Sequence, residues 1–103
     1  MDVKDKKIHV KIDADLKELI PGYINNRYLD IENIIIALEK SDYETIRILG
    51  HSMKGSGGGY GFDAITEIGG VIEAAAKEKN NDVIKGKVEE LKDYLSKIEI
   101  IYV

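Results

Sequence analysis

Residues 50–61 read GHSMKGSGGGYG, and this glycine-rich stretch around one histidine is the most informative part of the chain. Eight of the ten glycines in the 103-residue sequence lie between Gly50 and Gly70. The segments on either side have the apolar spacing of amphipathic helices. Glycine is the least favourable helix residue after proline. Its concentration around a titratable nucleophile therefore indicates that His51 has a function.

The composition is that of one soluble helical domain, with 33% charged and 44% hydrophobic residues. The net charge of −4 provides no basic surface for nucleic acid, which is not an expected partner. The absence of cysteine excludes disulfides and thiolate metal sites. No apolar run reaches membrane-spanning length, and the charged N-terminus is unlike a signal peptide. We therefore expect a cytoplasmic protein, or a soluble piece of a larger one, without a membrane partner.

Apolar periodicity predicts four long helices joined by short connections. The first begins at Pro21, which is tolerated in a first turn, and the second follows a capping box at residues 41–44. Asp63 is predicted to cap the third helix, and residues 80–82 form the turn and cap before the fourth. The predicted buried stripes, in chain order, are Ile24, Tyr28, Ile31, Ile35 and Leu38; Ile46, Leu49, Met53, Gly57 and Tyr60; Ile65, Ile68, Gly69, Ile72 and Ala76; and Ile84, Val88, Leu91, Leu95 and Ile98.

These elements predict an all-α fold, an antiparallel up-down four-helix bundle within a single domain of residues 1–103. Residues 1–14 form an N-terminal extension and residues 15–99 the bundle. A short extra N-terminal helix, capped by Asp13 or Asp15, packs across one end. Residues 7–13 alternate in polarity and the C-terminal tail is β-branched, so these two segments are candidates for a small β-ribbon. Three consecutive glycines in a helix cost roughly 3 kcal/mol, so propensity alone predicts a loop over residues 55–61.

The rotation of the second helix predicts which way the histidine faces. At about 100° per residue, Leu49 and Met53 lie about 160° from His51. If those two side chains face the core, His51 faces water. Lys54 and Gly55 are then its neighbours on the outer stripe, at i+3 and i+4.

Gly58 lies two turns beyond His51 and nearly in line with it on a continuous helix. The outer stripe would then carry an imidazole, an ammonium and two positions without side chains. Such a stripe offers a flat strip that another protein's backbone could approach closely. A solvated surface histidine is the ordinary alternative, and His9 is assigned that role.

Two enzyme classes fit the residues poorly. A Walker A loop requires glycine before lysine, whereas Lys54 precedes Gly55. The glycines at 59 and 61 match the loose dinucleotide fingerprint, but that motif must follow a strand, and the preceding segment is predicted to be helical. A metal site also fits poorly, because the chain has two histidines, no cysteine and no close histidine–carboxylate cluster beyond the possible Glu73.

The pattern His51-x-x-Lys54-Gly55-Ser56 with Gly61, continued by apolar positions to Glu73, closely resembles the signature of histidine phosphotransfer (HPt) domains. The resemblance implies a four-helix bundle with an exposed, phosphorylated histidine on a central helix. It also implies that Gly55 to about Gly59 continue the helix, against their propensity.

The resemblance makes His51 the phosphoacceptor, and a free imidazole, with a pKa of about 6.5, is largely neutral and nucleophilic near pH 7. Lys54 would steady the added negative charge. Gly55, with Ser52 and Gly58, would contact the partner.

Glu73 would accept a hydrogen bond from Nδ1–H and leave Nε2 free to attack. An ordinary surface glutamate is the open alternative. Gly69 and Gly70 would let the two helices approach and so bring Glu73 within reach of the ring.

The predicted function is that of a phosphorelay intermediate in two-component signal transduction. The expected partners are a response-regulator receiver domain, a sensor histidine kinase, or both, and the chain is predicted to be monomeric. No cofactor is expected on this chain, because Mg²⁺ belongs to the receiver, and no autonomous ATP-dependent activity is expected. The alternative is a non-phosphorylated helical adaptor that binds receivers or other signalling proteins without chemistry.

Overall fold

Residues 6–103, which the computed structural model describes, form four α-helices that follow the predicted order. The helices are α1 (Ile20–Glu39), α2 (Tyr43–Ser56), α3 (Asp63–Lys77) and α4 (Asn81–Lys97). Helix α2 packs between α1 and α3, and α4 packs on α3 and α1, so α2 and α4 lie diagonally across the bundle. The predicted four-helix bundle is confirmed. The first five residues of the predicted N-terminal extension lie outside the described part.

The core is built from aliphatic side chains that every helix supplies. The predicted stripe of α3 is buried in full, and so is that of α4 up to Leu95, while Ile98 is half buried. In α2, Ile46 and Met53 are fully buried, but Leu49 only borders the core. Burying each such side chain contributes about 1.5–3 kcal/mol, so these stripes hold the bundle together.

The predicted buried stripe of α1 is wrong, because the observed buried face is rotated from it by part of a helical turn. Tyr28 and Ile35 are exposed, whereas Tyr23, Arg27 and Ile34 are buried. The face that packs on the bundle contains Arg27. Because a charged residue interrupts that face, the regular spacing of apolar residues follows the neighbouring face instead. Only Ile31 belongs fully to both stripes.

Arg27 is 7% exposed because other groups compensate its charge. Its Nε lies 2.9 Å from Oδ2 of Asp30, an ion contact without the angle of a linear hydrogen bond. The guanidinium lies 4.3 Å from the ring centroid of Tyr23, at cation–π distance. Burial raises the pKa of the Asp30 carboxyl, although the Arg27 charge opposes that shift.

The α1–α2 and α3–α4 connections have the same construction. The second residue after each helix is in the left-handed region, Ser41 with φ 54° and Lys79 with φ 56°. The next residue then caps the following helix: Asp42 accepts from the backbone N–H of Thr45 and Asn80 from that of Val83. The predicted cap at Asn80 is confirmed. The predicted capping box that starts at Ser41 is wrong, because Asp42 caps α2.

The start of α3 also differs from expectation. Asp63 is the first residue of the helix, and the N-cap position belongs to Phe62, which provides no side-chain hydrogen bond. Phe62 is fully buried instead. The chain turns into α3 at Gly61, whose φ of 98° favours glycine.

The predicted short N-terminal helix is reduced to one 3-10 turn, Ala14–Leu16, which Asp13 caps through a 2.9 Å hydrogen bond from the Asp15 N–H. The predicted terminal ribbon is confirmed. Strands β1 (Ile8–Ile12) and β2 (Ile98–Tyr102) pair in parallel, from Ile8 opposite Ile98 to Ile12 opposite Tyr102. Ile12 is fully buried and anchors the ribbon to the bundle beside Gly61.

The backbones of α2 and α3 touch at two glycines. A Cβ on Gly69 would lie 2.6 Å from the Lys54 nitrogen and 2.7 Å from the Gly50 oxygen, and one on Gly50 would lie 2.7 Å from the Glu73 nitrogen. These distances are shorter than any real Cβ contact, so both positions require glycine. The predicted role of Gly69 is confirmed, whereas a Cβ on Gly70 would meet only the Lys54 side chain, at 3.6 Å.

We expect Gly69→Ala and Gly70→Ala to change the free energy of unfolding in opposite directions. Gly69→Ala forces α2 and α3 apart and should destabilise the protein by about 2–3 kcal/mol. Gly70→Ala should stabilise it by about 0.5–1 kcal/mol, because alanine loses less entropy in a helix. Urea denaturation measures both effects. Equal effects from the two substitutions would contradict the backbone contact.

Candidate functional site

His51 stands on the outer surface of α2, as the helix rotation predicts. The inner face of α2 is fixed by the buried side chains Ile46 and Met53. The His51 side chain, on the opposite face, is 69% exposed. The imidazole is therefore open to a protein partner over most of its surface.

Glu73 of α3 holds the ring from one side. Its Oε2 lies 2.8 Å from His51 Nδ1, and its Oε1 lies 3.6 Å from Lys54 Nζ. An ionised carboxylate only accepts hydrogen bonds, so Nδ1 carries a proton and donates the hydrogen bond to Glu73. In the neutral ring this leaves the lone pair on Nε2, which faces away from Glu73. The structure thus brings together three of the residues singled out in the sequence.

Backbone geometry puts Glu73 within reach of His51. Gly50 immediately precedes His51 on α2, and its Cα packs against the backbone at Gly69 and Glu73. Because neither Gly50 nor Gly69 carries a side chain, the helices lie close enough for the carboxylate of Glu73 to reach the imidazole. The Glu73 side chain is only 10% exposed as a result.

The charges around Glu73 keep it ionised. Burial has the largest influence on its pKa and raises it, but the hydrogen bond from His51 and the charges of His51, Lys54 and Lys77 together outweigh burial. The pKa of Glu73 is therefore held below its ordinary value. At neutral pH the group beside Nδ1 is a carboxylate that accepts a hydrogen bond.

The end of α2 differs from the expectation that Gly55 to about Gly59 continue the helix. The α-helix ends at Ser56, and Gly58–Tyr60 form a 3-10 turn. In a continuous helix the Gly58 N–H would donate to the Lys54 carbonyl. Instead it donates to Thr66 Oγ1 at 2.7 Å, and that hydroxyl donates to the Lys54 carbonyl at 3.1 Å. A hydroxyl from α3 is thus inserted into the hydrogen-bond ladder and ends the helix.

The three residues predicted to contact a partner have different surroundings. A Cβ on Gly55 would meet no described atom within 4 Å, so the surface there is open. Ser52 is also exposed. Gly58 is exposed but lies against the start of α3, where its Cβ would be 3.5 Å from Thr66 Oγ1, so it does not continue the helical stripe of His51. Partner contact by these residues stays a prediction.

A second polar cluster, which the sequence did not reveal, fastens the end of α2 to α1. The hydroxyls of Tyr23 and Ser56 lie 2.9 Å apart, and Ser56 Oγ also donates to the Ser52 carbonyl. The Tyr23 ring stacks on Tyr60 with centroids 4.3 Å apart. In the sequence, the sign of this cluster is Arg27, which lies four residues from both Tyr23 and Ile31 on the buried face of α1.

The surroundings of His51 form an open surface. Two adjoining depressions of about 270 and 190 Å³ lie between α1 and α4, and His51 lines neither of them. Within residues 6–103 no group of three or more histidine or acidic side chains could hold a metal ion. No helix in the same residues is both long and apolar enough to cross a membrane. The geometry suits contact with another macromolecule.

We expect His51→Ala to raise the pKa of Glu73, because burial continues to act while the hydrogen bond from the ring is lost. Carbon-13 NMR titration of the side-chain carboxyl measures this, with the other carboxyls as internal controls. In the wild type the lowered pKa means that ionised Glu73 stabilises the fold at neutral pH. That contribution is lost as the pH falls through the pKa of the folded state. An unchanged titration curve would contradict the contact between the ring and the carboxylate.

Comparison with known proteins agrees with this geometry. A family model described as the Hpt domain matches residues 29–100, which is more than half of the chain and includes His51, Lys54 and Glu73. No curated protein and no solved structure matches. Hpt domains are phosphocarrier modules of two-component signalling. With a four-helix bundle and an exposed histidine inside the matched region, the chain belongs to the Hpt domain family and has a phosphotransfer role in two-component signalling.

Proposed function

We propose that this domain is a phosphorelay intermediate that accepts and donates a phosphoryl group on Nε2 of His51. The observation that carries the proposal is that the His51 ring is both exposed to solvent and held in one orientation. His51 is 69% exposed while its Nδ1 is held 2.8 Å from the Glu73 carboxylate. The remaining nitrogen is then a nucleophile that faces the solvent.

The chemical step is a transfer between nitrogen and oxygen. The Nε2 lone pair attacks the phosphorus of a receiver aspartyl phosphate, the N–P bond forms, and the P–O bond to the aspartate breaks. The aspartate leaves as a carboxylate, and the Nδ1 proton stays on the ring. Transfer to a second receiver reverses these bond changes. Such in-line transfer requires mainly positioning and charge neutralisation.

Glu73 and Lys54 are proposed to stabilise opposite charges on phosphorylated His51, the positive charge of the ring and the negative charge of the phosphoryl group. While Nε2 bears the phosphoryl group and Nδ1 keeps its proton, the ring is cationic, and the Glu73 carboxylate stabilises it. Lys54 is half exposed and one helical turn from His51, so its ammonium can offset the negative charge of the phosphoryl group. Both residues are proposed to act on His51 directly.

The partner supplies the remainder of the site. We propose a receiver domain, with or without a sensor histidine kinase, as the partner, and its acidic pocket holds the Mg²⁺. This chain contributes the nucleophile, requires no cofactor of its own and does not hydrolyse ATP alone. The domain is proposed to work as a monomer in the cytoplasm.

We expect wild-type protein incubated with a phosphorylated receiver to take up label that is acid-labile and alkali-stable, as a phosphoramidate is. His51→Gln should take up no label and keep its helical circular dichroism. Label on the glutamine variant would refute the assignment of His51. If neither protein takes up label while both bind the receiver, the domain is an adaptor without chemistry.

We expect Gly55→Leu to block docking without unfolding the protein. A Cβ at this position meets no described atom within 4 Å, so the fold accepts the side chain, which would protrude beside His51. Transfer from the receiver should fall by at least about tenfold, the effect of losing about 1.4 kcal/mol of docking free energy. Gly86→Leu on α4 is the matched control, since its Cβ is equally unobstructed. Equal transfer by both variants would contradict a partner surface at Gly55.

A further inference from the structure

The surface around His51 has two different sides. At about 100° per residue, positions i−4 and i+3 lie about 40–60° to one side of a helical residue, and positions i−3 and i+4 lie equally far to the other. Lys54, at i+3, contacts Glu73 of α3, which identifies the first side as the one facing α3. Ser56, beyond the second side, contacts Tyr23 of α1.

The side facing α3 is cationic. It contains Arg47 and Lys54 from α2, and Lys77, one turn beyond Glu73 on α3. Lys54 and Lys77 are both near enough to lower the pKa of Glu73. Arg47 is paired with Glu44 by two hydrogen bonds, Nε to Oε2 at 3.0 Å and Nη2 to Oε1, and Lys54 contacts Glu73. The three cations Arg47, Lys54 and Lys77 outnumber these two carboxylates, so this side carries a net positive charge in a chain whose net charge is −4.

The side facing α1 is apolar and flat. Ile48, at i−3, is 53% exposed. Gly55, at i+4, leaves the space beside the ring open. Ile48 and Gly55 thus flank His51 above and below on this side.

We propose that this surface fixes the orientation of an acidic protein partner, whose carboxylates lie over Arg47, Lys54 and Lys77 and whose apolar rim lies over Ile48. This inference rests on the proposed function, because that partner is the receiver that exchanges the phosphoryl group with His51. The two sides act differently. The cationic side attracts and turns the approaching partner, whereas the apolar side stabilises the docked complex.

Electrostatics supports the division of roles. A uniformly acidic domain would repel an acidic partner, so productive encounter requires a local patch of opposite charge. Such patches act mainly on the association rate, and salt weakens them. Buried apolar contacts act mainly on dissociation and depend little on salt. The two halves of the surface can therefore be distinguished by ionic strength.

The first experiment measures kcat/KM for transfer from a phosphorylated receiver between about 20 and 300 mM NaCl, over which the Debye length falls from about 20 to 6 Å. Arg47→Gln/Lys77→Gln should lower kcat/KM about five- to tenfold at low salt and approach the wild type at high salt. Lys87→Gln/Lys92→Gln is the matched control, because it removes two cations on α4, each paired with a glutamate as Arg47 is. The control should keep the salt dependence of the wild type.

The second experiment tests the apolar side under the same conditions. Ile48→Ser should raise KM about five- to tenfold at every salt concentration, with the salt dependence unchanged. Val83→Ser is its control, since Val83 is an exposed apolar residue on α4, diagonally across from α2. Circular dichroism verifies that each variant is folded.

The results separate this inference from the proposed function. If the wild type is labelled and all charge variants share one salt dependence, the oriented docking surface is refuted and the phosphoacceptor is not. An Ile48→Ser effect that disappears at high salt, or an equal effect of Val83→Ser, also refutes it. A wild type that takes up no phosphoryl group from any receiver overturns both.

Discussion

The contact between the α2 and α3 backbones is the constraint on which the site depends. Gly50 and Gly69 lie without side chains where the helices cross, and each would clash with the other helix if it carried a Cβ. The helices consequently approach until Glu73 reaches Nδ1 of His51. The tautomer of the ring, and with it the free Nε2, follows from the absence of two side chains. Glycine is unfavourable inside helices, and here it allows the close helix contact that places the imidazole against Glu73.

Glu73, whose carboxylate orients the ring, lies where burial disfavours its ionised form. Glu73 is nearly buried, which opposes ionisation, and the hydrogen bond from His51 with the nearby cations reverses the balance. Two of these cations, Lys54 and Lys77, also belong to the positive side of the surface that we propose meets the partner. One set of charges thus has two roles. It keeps Glu73 ionised so that the imidazole is oriented, and it attracts an acidic protein to that imidazole.

The sequence predicted those parts of the structure that depend on local periodicity. The outward direction of His51 follows from the rotation of one helix, and the stripes of α3 and α4 follow from uninterrupted apolar spacing. The contact with Glu73 was expected from the family resemblance and from the glycines of α3. All of these depend on short stretches of chain or on one helix pair.

The predictions from sequence fail where a residue distant in the chain determines the local structure. The buried face of α1 was misplaced because Arg27 lies on it, compensated by Asp30, Tyr23 and the end of α2. The end of α2 was misplaced because the hydroxyl of Thr66 enters its hydrogen-bond ladder from α3. Neither propensity nor apolar spacing includes such a partner. A charged residue inside a buried stripe is a sign that one exists.

The parallel ribbon has a consequence for the order of folding. Ile8 pairs with Ile98, so the register of the ribbon joins residues from the two ends of the described chain. Closing a loop of that length costs more entropy than forming the helical hairpins, whose partners are near in sequence. The ribbon is therefore expected to assemble last and to open first, while the α2–α3 pair that holds the imidazole stays closed. Amide hydrogens of β1 and β2 should exchange with solvent well before those at the centre of α3.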